Sequence, residues 1–152
     1  MHRTLRPLSP VVLLMVTSLQ VAAEIPEPRL PFQSHQAGDM KFLPMPSIPG
    51  ASVALLFGHP NEEGPYVMRY RVPANTLMAA HYHDQDRHVT VISGTWAFGK
   101  GDSGACKDTE AMVPGSYIFH PAGQSHFDGS CTNEPIEIQV NGEGPVKNFL
   151  AR

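Results

Sequence analysis

From Ala51 to the C-terminus the sequence is a series of short β-type runs broken by turn residues, and this limits the available folds more than any other feature. Ala51–Gly58, Tyr66–Val72, Val89–Phe98, Ser116–His120 and Ile136–Val140 are such runs. Glycine and proline punctuate the intervals at His59-Pro60, Gly64-Pro65, Gly99 through Gly104, Pro114-Gly115, Pro121 through Gly123 and Gly142 through Pro145. No window carries a sustained 3.6-residue apolar repeat, so helices are not the framework. Short strands at close spacing with regular turn signals predict an all-β sandwich or barrel. In Val89-Thr90-Val91-Ile92 both faces are apolar or β-branched, the pattern of a strand that lines a barrel on one side and packs on a second sheet on the other. At 152 residues the chain suffices for one such domain and one core.

The first residues read as something other than core. Met1 to Arg6 carries Arg3 and Arg6, an apolar run follows from Val11 to Val16 with Leu19 and Val21 beyond it, and Ala22-Ala23 precede Glu24. That order describes a secretory signal peptide over residues 1–23, cleaved after Ala23. A membrane anchor is the alternative, but the run is shorter than the ~20 residues a span needs. Residues 24–50 hold Pro26, Pro28, Pro31, Pro44, Pro46 and Pro49, a density that supports neither a long helix nor a central strand. They predict a proline-rich extended arm, with the barrel domain over 51–152.

Cleavage would remove two of eleven basic residues and none of fourteen acidic ones, moving the net charge from −3 to −5. With no basic run or stripe, nucleic acid is not an expected partner, and after cleavage no membrane attachment is expected. Export to the periplasm or beyond also frames Cys106 and Cys131, the only two cysteines. In an oxidising compartment they read as a disulfide, the alternative being two unrelated thiols.

His81-Tyr82-His83 is the first sign of chemistry. Side chains two apart in a strand share a face, so both imidazoles can converge on one point, and imidazole suits Zn, Cu, Fe and Ni. His126 follows a turn, Pro121-Ala122-Gly123-Gln124-Ser125, placed to send a strand back with a histidine at its start. Asp128 shares the face of His126 if that strand is regular, as a proton carrier or a turn cap. His120 is two-sided, a partner of the site or a surface or packing residue. Trp96 and Phe98 read as core, and either Arg69 or Tyr70 should point inward.

These residues resemble the two motifs of the cupin superfamily, G(X)5HXH(X)3-4E(X)6G and G(X)5PXG(X)2H(X)3N. The second is nearly complete from Gly115 through Pro121, Gly123 and His126, with Ser130 in place of the asparagine. The first runs from Asn75, in a glycine slot, through His81 and His83 to Gly94. Twenty residues separate Gly94 from Gly115, close to the short spacing of bacterial members. The stretch from Arg87 to Trp96, with Phe127-Asp128-Gly129, looks like a subgroup of uncharacterised small single-domain bacterial cupins. The resemblance covers about residues 65–145. It implies a double-stranded β-helix (jelly-roll) barrel, a mononuclear metal site on His81, His83 and His126, a small-molecule ligand or substrate, and a homodimer.

One departure bears on all of this. The glutamate of the first motif, usually a metal ligand, is Arg87. Arginine cannot coordinate and keeps its charge. A +2 and a +1 charge about 6 Å apart repel by roughly 5 kcal/mol at an effective dielectric of about 20. Asp84 and Asp86 could pair with Arg87 and turn it away; turned inward, it could hold a substrate carboxylate. His88 could complete a four-histidine site if a β-bulge near Arg87 rotated it inward, and otherwise lies outside.

Three functions follow in order. The first is a metal enzyme on His81, His83 and His126, using Fe, Mn, Ni, Cu or Zn, with Arg87 and Asp128 as its acting side chains. The resemblance permits dioxygenases, isomerases, decarboxylases and hydrolases alike. The second is a non-catalytic barrel that binds a small ligand or a metal, and the third is a structural barrel with a vestigial pocket.

Overall fold

The computed structural model describes residues 30–151. The signal peptide expected over 1–23 and the first residues of the arm lie outside the described residues. Leu30–Gln33 carry no helix or strand, and a compact unit starts at Ser34.

Within that unit twelve strands follow one another: β1 (Leu43–Pro44), β2 (Ser52–Phe57), β3 (Gly64–Val72), β4 (Thr76–Leu77), β5 (His81–His83), β6 (Arg87–Ser93), β7 (Trp96–Lys100), β8 (Glu110–Met112), β9 (Tyr117–His120), β10 (His126–Ser130), β11 (Ile136–Gly144) and β12 (Asn148–Leu150). They form two antiparallel sheets. One has the order β1-β2-β3-β11-β6-β9; the other is β12-β5-β10-β7-β8, with β4 also paired to β10. The architecture is the all-β jelly roll that the turn spacing and the two motifs imply.

Alternation along the strands sets the core. In β6, Arg87, Val89 and Val91 are buried while His88 is exposed and Thr90 and Ile92 are half-buried. The outer face of β6 is therefore less covered than its apolar character suggests. Val89 and Val91 join Tyr66, Met68, Trp96 and Ile138 in one cluster between the sheets. Burying side chains of this size contributes about 1.5–3 kcal/mol each relative to exposure.

The single run Val89–Phe98 is two strands in different sheets. The chain changes sheet at Gly94, whose φ of 73° is open to few residues with a Cβ. A Cβ there would also lie 2.3 Å from the Pro135 carbonyl oxygen. Asn75, in the glycine slot of the first motif, takes a φ of 51°, and its N–H donates to Thr132 O at 2.9 Å. Asparagine is among the residues that tolerate this region best.

Part of the proline-rich segment belongs to the sheet. β1 pairs with β2 through Leu43 and Pro44, and Met45 N–H donates to Ala51 O at 2.9 Å. Proline is tolerated here because β1 is an edge strand. Cys106 and Cys131 form a disulfide between the short 3-10 turn at Cys106–Asp108 and the end of β10.

Gly94→Ala should cost more than about 2 kcal/mol in urea unfolding, since it adds a backbone collision to the left-handed penalty of roughly 1 kcal/mol. Gly101 has a similar φ of 80° with nothing near its absent Cβ. Gly101→Ala should cost only that penalty, and equal losses at the two sites would contradict the sheet-crossing role of Gly94.

Candidate metal centre

Four strand ends bring the polar residues together. β5 presents His81 and His83 on one face, while Tyr82 points the other way and stacks on Phe149 of β12. His126 opens β10 directly across from His81. Arg87 begins β6 opposite His120, the last residue of β9. Strand pairing thus delivers five side chains from both sheets to one end of the barrel interior.

The imidazoles of His81, His83 and His126 each offer a nitrogen, and these three atoms lie within 4.8 Å of one another. Each ring is oriented by its Nδ1–H. His81 donates to Ala79 O at 2.8 Å, His126 to Gln124 O at 3.0 Å and His83 to Asn148 Oδ1 at 2.7 Å. A neutral imidazole that donates from Nδ1 carries its lone pair on Nε2. The Nε2 of His126 is buried with no hydrogen-bond partner. Fixing a ring through one nitrogen so that the other is free is how histidine ligands are held in metal sites.

Burial also sets the protonation state. It pulls His83 down to about 3, with help from the neighbouring Arg87 charge, and pulls His120 down to about 2. His126 is lowered by burial as well. Burial acts oppositely on Asp128, raising its pKa. The buried imidazoles are therefore neutral at physiological pH, the form that binds metal without displacing a proton.

Arg87 is turned inward and only 7% exposed. Its Nη1 donates to His83 Nε2 at 3.2 Å and its Nη2 to Asn148 Oδ1 at 3.1 Å. The pairing with Asp84 and Asp86 does not occur, because both carboxylates are taken by backbone donors. Asp84 accepts from Lys147 N–H and Asp86 from Ala122 N–H, each at 2.7 Å. Three imidazole nitrogens in a largely buried setting fit a divalent transition metal. Arg87 opposes it, both by charge and by holding the lone pair of His83.

His88 is not part of the site. It is exposed on the outer face of β6, with Nδ1 2.7 Å from the Tyr117 hydroxyl. The register shift between β6 and β11 lies between Glu137 and Ile138, opposite Ser93 and Val91, so pleating continues undisturbed past Arg87. Asp128 does face inward, with Oδ2 3.8 Å from His126 Nε2. Tyr70 lines the same cavity while Arg69 pairs outside with Glu137 at 2.9 Å. Trp96 is core and cavity wall together.

Two members of the site were weakly signalled or not signalled at all. His120 is buried, its ring 4.2 Å from that of His126 and 5.0 Å from that of Phe98. Its place before Pro121 gave no direction to the side chain. Asn148 belongs to no motif and lies 65 residues from the histidine it orients; only the β5–β12 pairing reveals it. The cavity has a volume of about 410 Å³. Arg87, His83 and Asp128 line it together with apolar side chains that include Met45 and Ile48 of the arm, Met78 and Leu150.

A family model described as the ChrR cupin-like domain matches residues 33–146. No curated protein matches the chain. Among solved structures it is similar to the polyketide cyclase RemF from Streptomyces resistomycificus, at 22% identity and a TM-score of 0.63, covering 80% of this chain and 88% of that one. It is similar to a cupin 2 conserved barrel domain protein from Rhodopseudomonas palustris, at 14% identity and a TM-score of 0.62, covering 80% and 87%. A sugar phosphate isomerase of the cupin superfamily from Silicibacter pomeroyi is 20% identical with a TM-score of 0.61, covering 78% and 81%. At these identities the likeness is one of fold.

The depressed histidines make a stability prediction for the metal-free protein. The unfolded chain takes up these protons near pH 6.5, well before the folded protein does. Stability is therefore full above about pH 6.5 and falls as the pH drops toward the folded values near 3 and 2. The slope is about 1.4 kcal/mol per pH unit for each histidine. Urea midpoints between about pH 7.5 and 5 should fall accordingly, and His120→Phe should remove one proton's share of the slope. A pH-independent midpoint would contradict the neutral, buried imidazoles.

Proposed function

The chain belongs to the ChrR cupin-like domain family, and from that premise we propose that its barrel holds one divalent transition metal on Nε2 of His81, His83 and His126 and acts on a small organic substrate. The observation that carries this reading is the set of three Nδ1–H donors, each tied to an oxygen so that the lone pair of each ring lies on Nε2, where only that of His83 is engaged, by Arg87.

A metal held there would supply Lewis acidity, with coordination positions left over for a substrate atom or water. The chain's own residues provide the rest. The apolar outer walls of the cavity exclude water and enclose the body of a small substrate. Asp128, deep in the cavity with Oδ1 free of partners, stands where a carboxyl could pass a proton to or from a bound molecule. His120 packs its ring against Phe98 and His126 and holds the latter from behind.

The second reading is a barrel that binds a small ligand or metal without turnover. Arg87 favours it, since it stands where a carboxylate ligand would complete a tighter site. In either reading the protein is exported and works in the periplasm or outside the cell; the Cys106–Cys131 disulfide supports an oxidising compartment. A homodimer belongs to the same proposal, with the exposed Tyr117 and Phe119 on edge strand β9 as surface for it.

Elemental analysis should find close to one metal per chain, either as purified or after reconstitution with Fe, Mn, Ni, Cu or Zn in chloride and in acetate buffer. The His81→Ala/His83→Ala variant should hold none. A parent chain that stays metal-free in every buffer would remove the metal reading. Turnover that the same variant abolishes would decide for the enzyme over the binder.

A further inference from the structure

Arg87 is a buried cation with only neutral partners. Its Nη1 and Nη2 hydrogen bonds end on an imidazole nitrogen and an amide oxygen, and its Nε–H is buried with no acceptor. Among the described residues no carboxylate lies within 4.0 Å of it. Asp84 and Asp86 are spent on backbone donors, and Asp128 Oδ2 faces His126 instead. A guanidinium cannot shed its proton, and burial without a directly bonded counter-ion is unfavourable, so an anion entering the cavity would give this group the ion pair it lacks.

The charge and the walls narrow that anion. One buried positive charge balances one negative charge, and a carboxylate accepts two parallel N–H bonds from a guanidinium. Beside Arg87 the lining is largely apolar, with Leu77, Met78, Ile48 and Leu150 among it, which suits a hydrocarbon body and not a polyhydroxylated or multiply charged one. A volume of about 410 Å³ accommodates a molecule the size of an aromatic or short branched acid.

The same arginine also occupies the lone pair of His83 that a metal would need. Resting on the metal reading above, we propose that Arg87 couples the two ligands: a small apolar monocarboxylate draws the guanidinium off His83 Nε2, and the freed nitrogen completes the three-histidine metal site. Without the carboxylate, Arg87 holds His83 by hydrogen bond and repels the cation by charge. With it, the ion pair cancels that repulsion and releases the ligand. Asn148 is the hinge of the exchange, because its Oδ1 accepts from both His83 Nδ1–H and Arg87 Nη2–H and keeps the ring oriented when Arg87 moves. Coupling of this kind is reciprocal, so metal must tighten the carboxylate by the factor with which carboxylate tightens metal.

Calorimetric titration of the metal-free full chain with Zn²⁺ tests this in chloride, acetate and benzoate buffers, with benzamide as the neutral counterpart of benzoate. Zn²⁺ affinity should rise about tenfold or more with either carboxylate and stay unchanged with benzamide. Arg87→Met, which keeps length and removes charge, should bind Zn²⁺ about tenfold more tightly than the parent in chloride and gain nothing further from carboxylate. Arg87→Gln is the second variant, with circular dichroism to check folding. Quenching of Trp96, the only tryptophan and a wall of the cavity, reports benzoate binding to the parent itself.

Parent affinity that is the same in all buffers would overturn the coupling, as would inorganic phosphate reproducing the effect where acetate fails. A carboxylate gain that persists in Arg87→Met and Arg87→Gln would place the anion on the ion and also overturn it. No Zn²⁺ binding by the parent or either variant in any buffer is a different failure, that of the metal site itself.

Discussion

Three Nδ1–H bonds, from His81 to Ala79, His126 to Gln124 and His83 to Asn148, organise the polar end of the barrel. Without them each buried ring could rotate or exchange tautomers, and the convergence of the three second nitrogens would be lost. Two of the acceptors are main-chain carbonyls two residues back along the chain, so the turn that leads into each strand orients the ring. The third comes from the last strand of the chain. Closing the barrel and orienting the histidines are consequently one event: until β12 docks on β5, His83 lacks its acceptor.

The cavity inherits a division from the same construction. Its deep end is crowded with groups that burial pushes toward neutrality: it lowers the pKa of His83, His120 and His126 and raises that of Asp128. Arg87 alone cannot follow, because guanidinium has no accessible neutral form. The interior therefore keeps one group whose positive charge burial cannot remove.

The fold and the three histidines were legible in the sequence because they follow local rules. Alternation places His81 and His83 on one face, turns mark the strand ends, and the motif spacing sets His126 beside them. What could not be read locally depended on non-local partners. Arg87 was open between inward and outward until Asp84 and Asp86 were seen capping the loops at Lys147 and Ala122. His88 needed a bulge that the register of β6 against β11 places elsewhere. Asn148 has no sequence signal, since its part comes wholly from strand pairing 65 residues away from His83. Gly94 was visible as a motif glycine, yet the change of sheet there was hidden inside an apolar run that reads as one strand.

The two rims of the β1-β2-β3-β11-β6-β9 sheet are unequal, and this bears on how copies could join. At the β1–β2 rim, Pro44 has no N–H to offer, and the His35 ring nitrogen bonds Leu56 O at 3.0 Å, so these two positions are withdrawn from pairing. Among the described residues the opposite rim, β9, is left with Tyr117 and Phe119 exposed. If two copies were to join through β9, the contact would be self-complementary: each chain would use the same rim once, so that union would close at two chains and leave no β9 rim for a third.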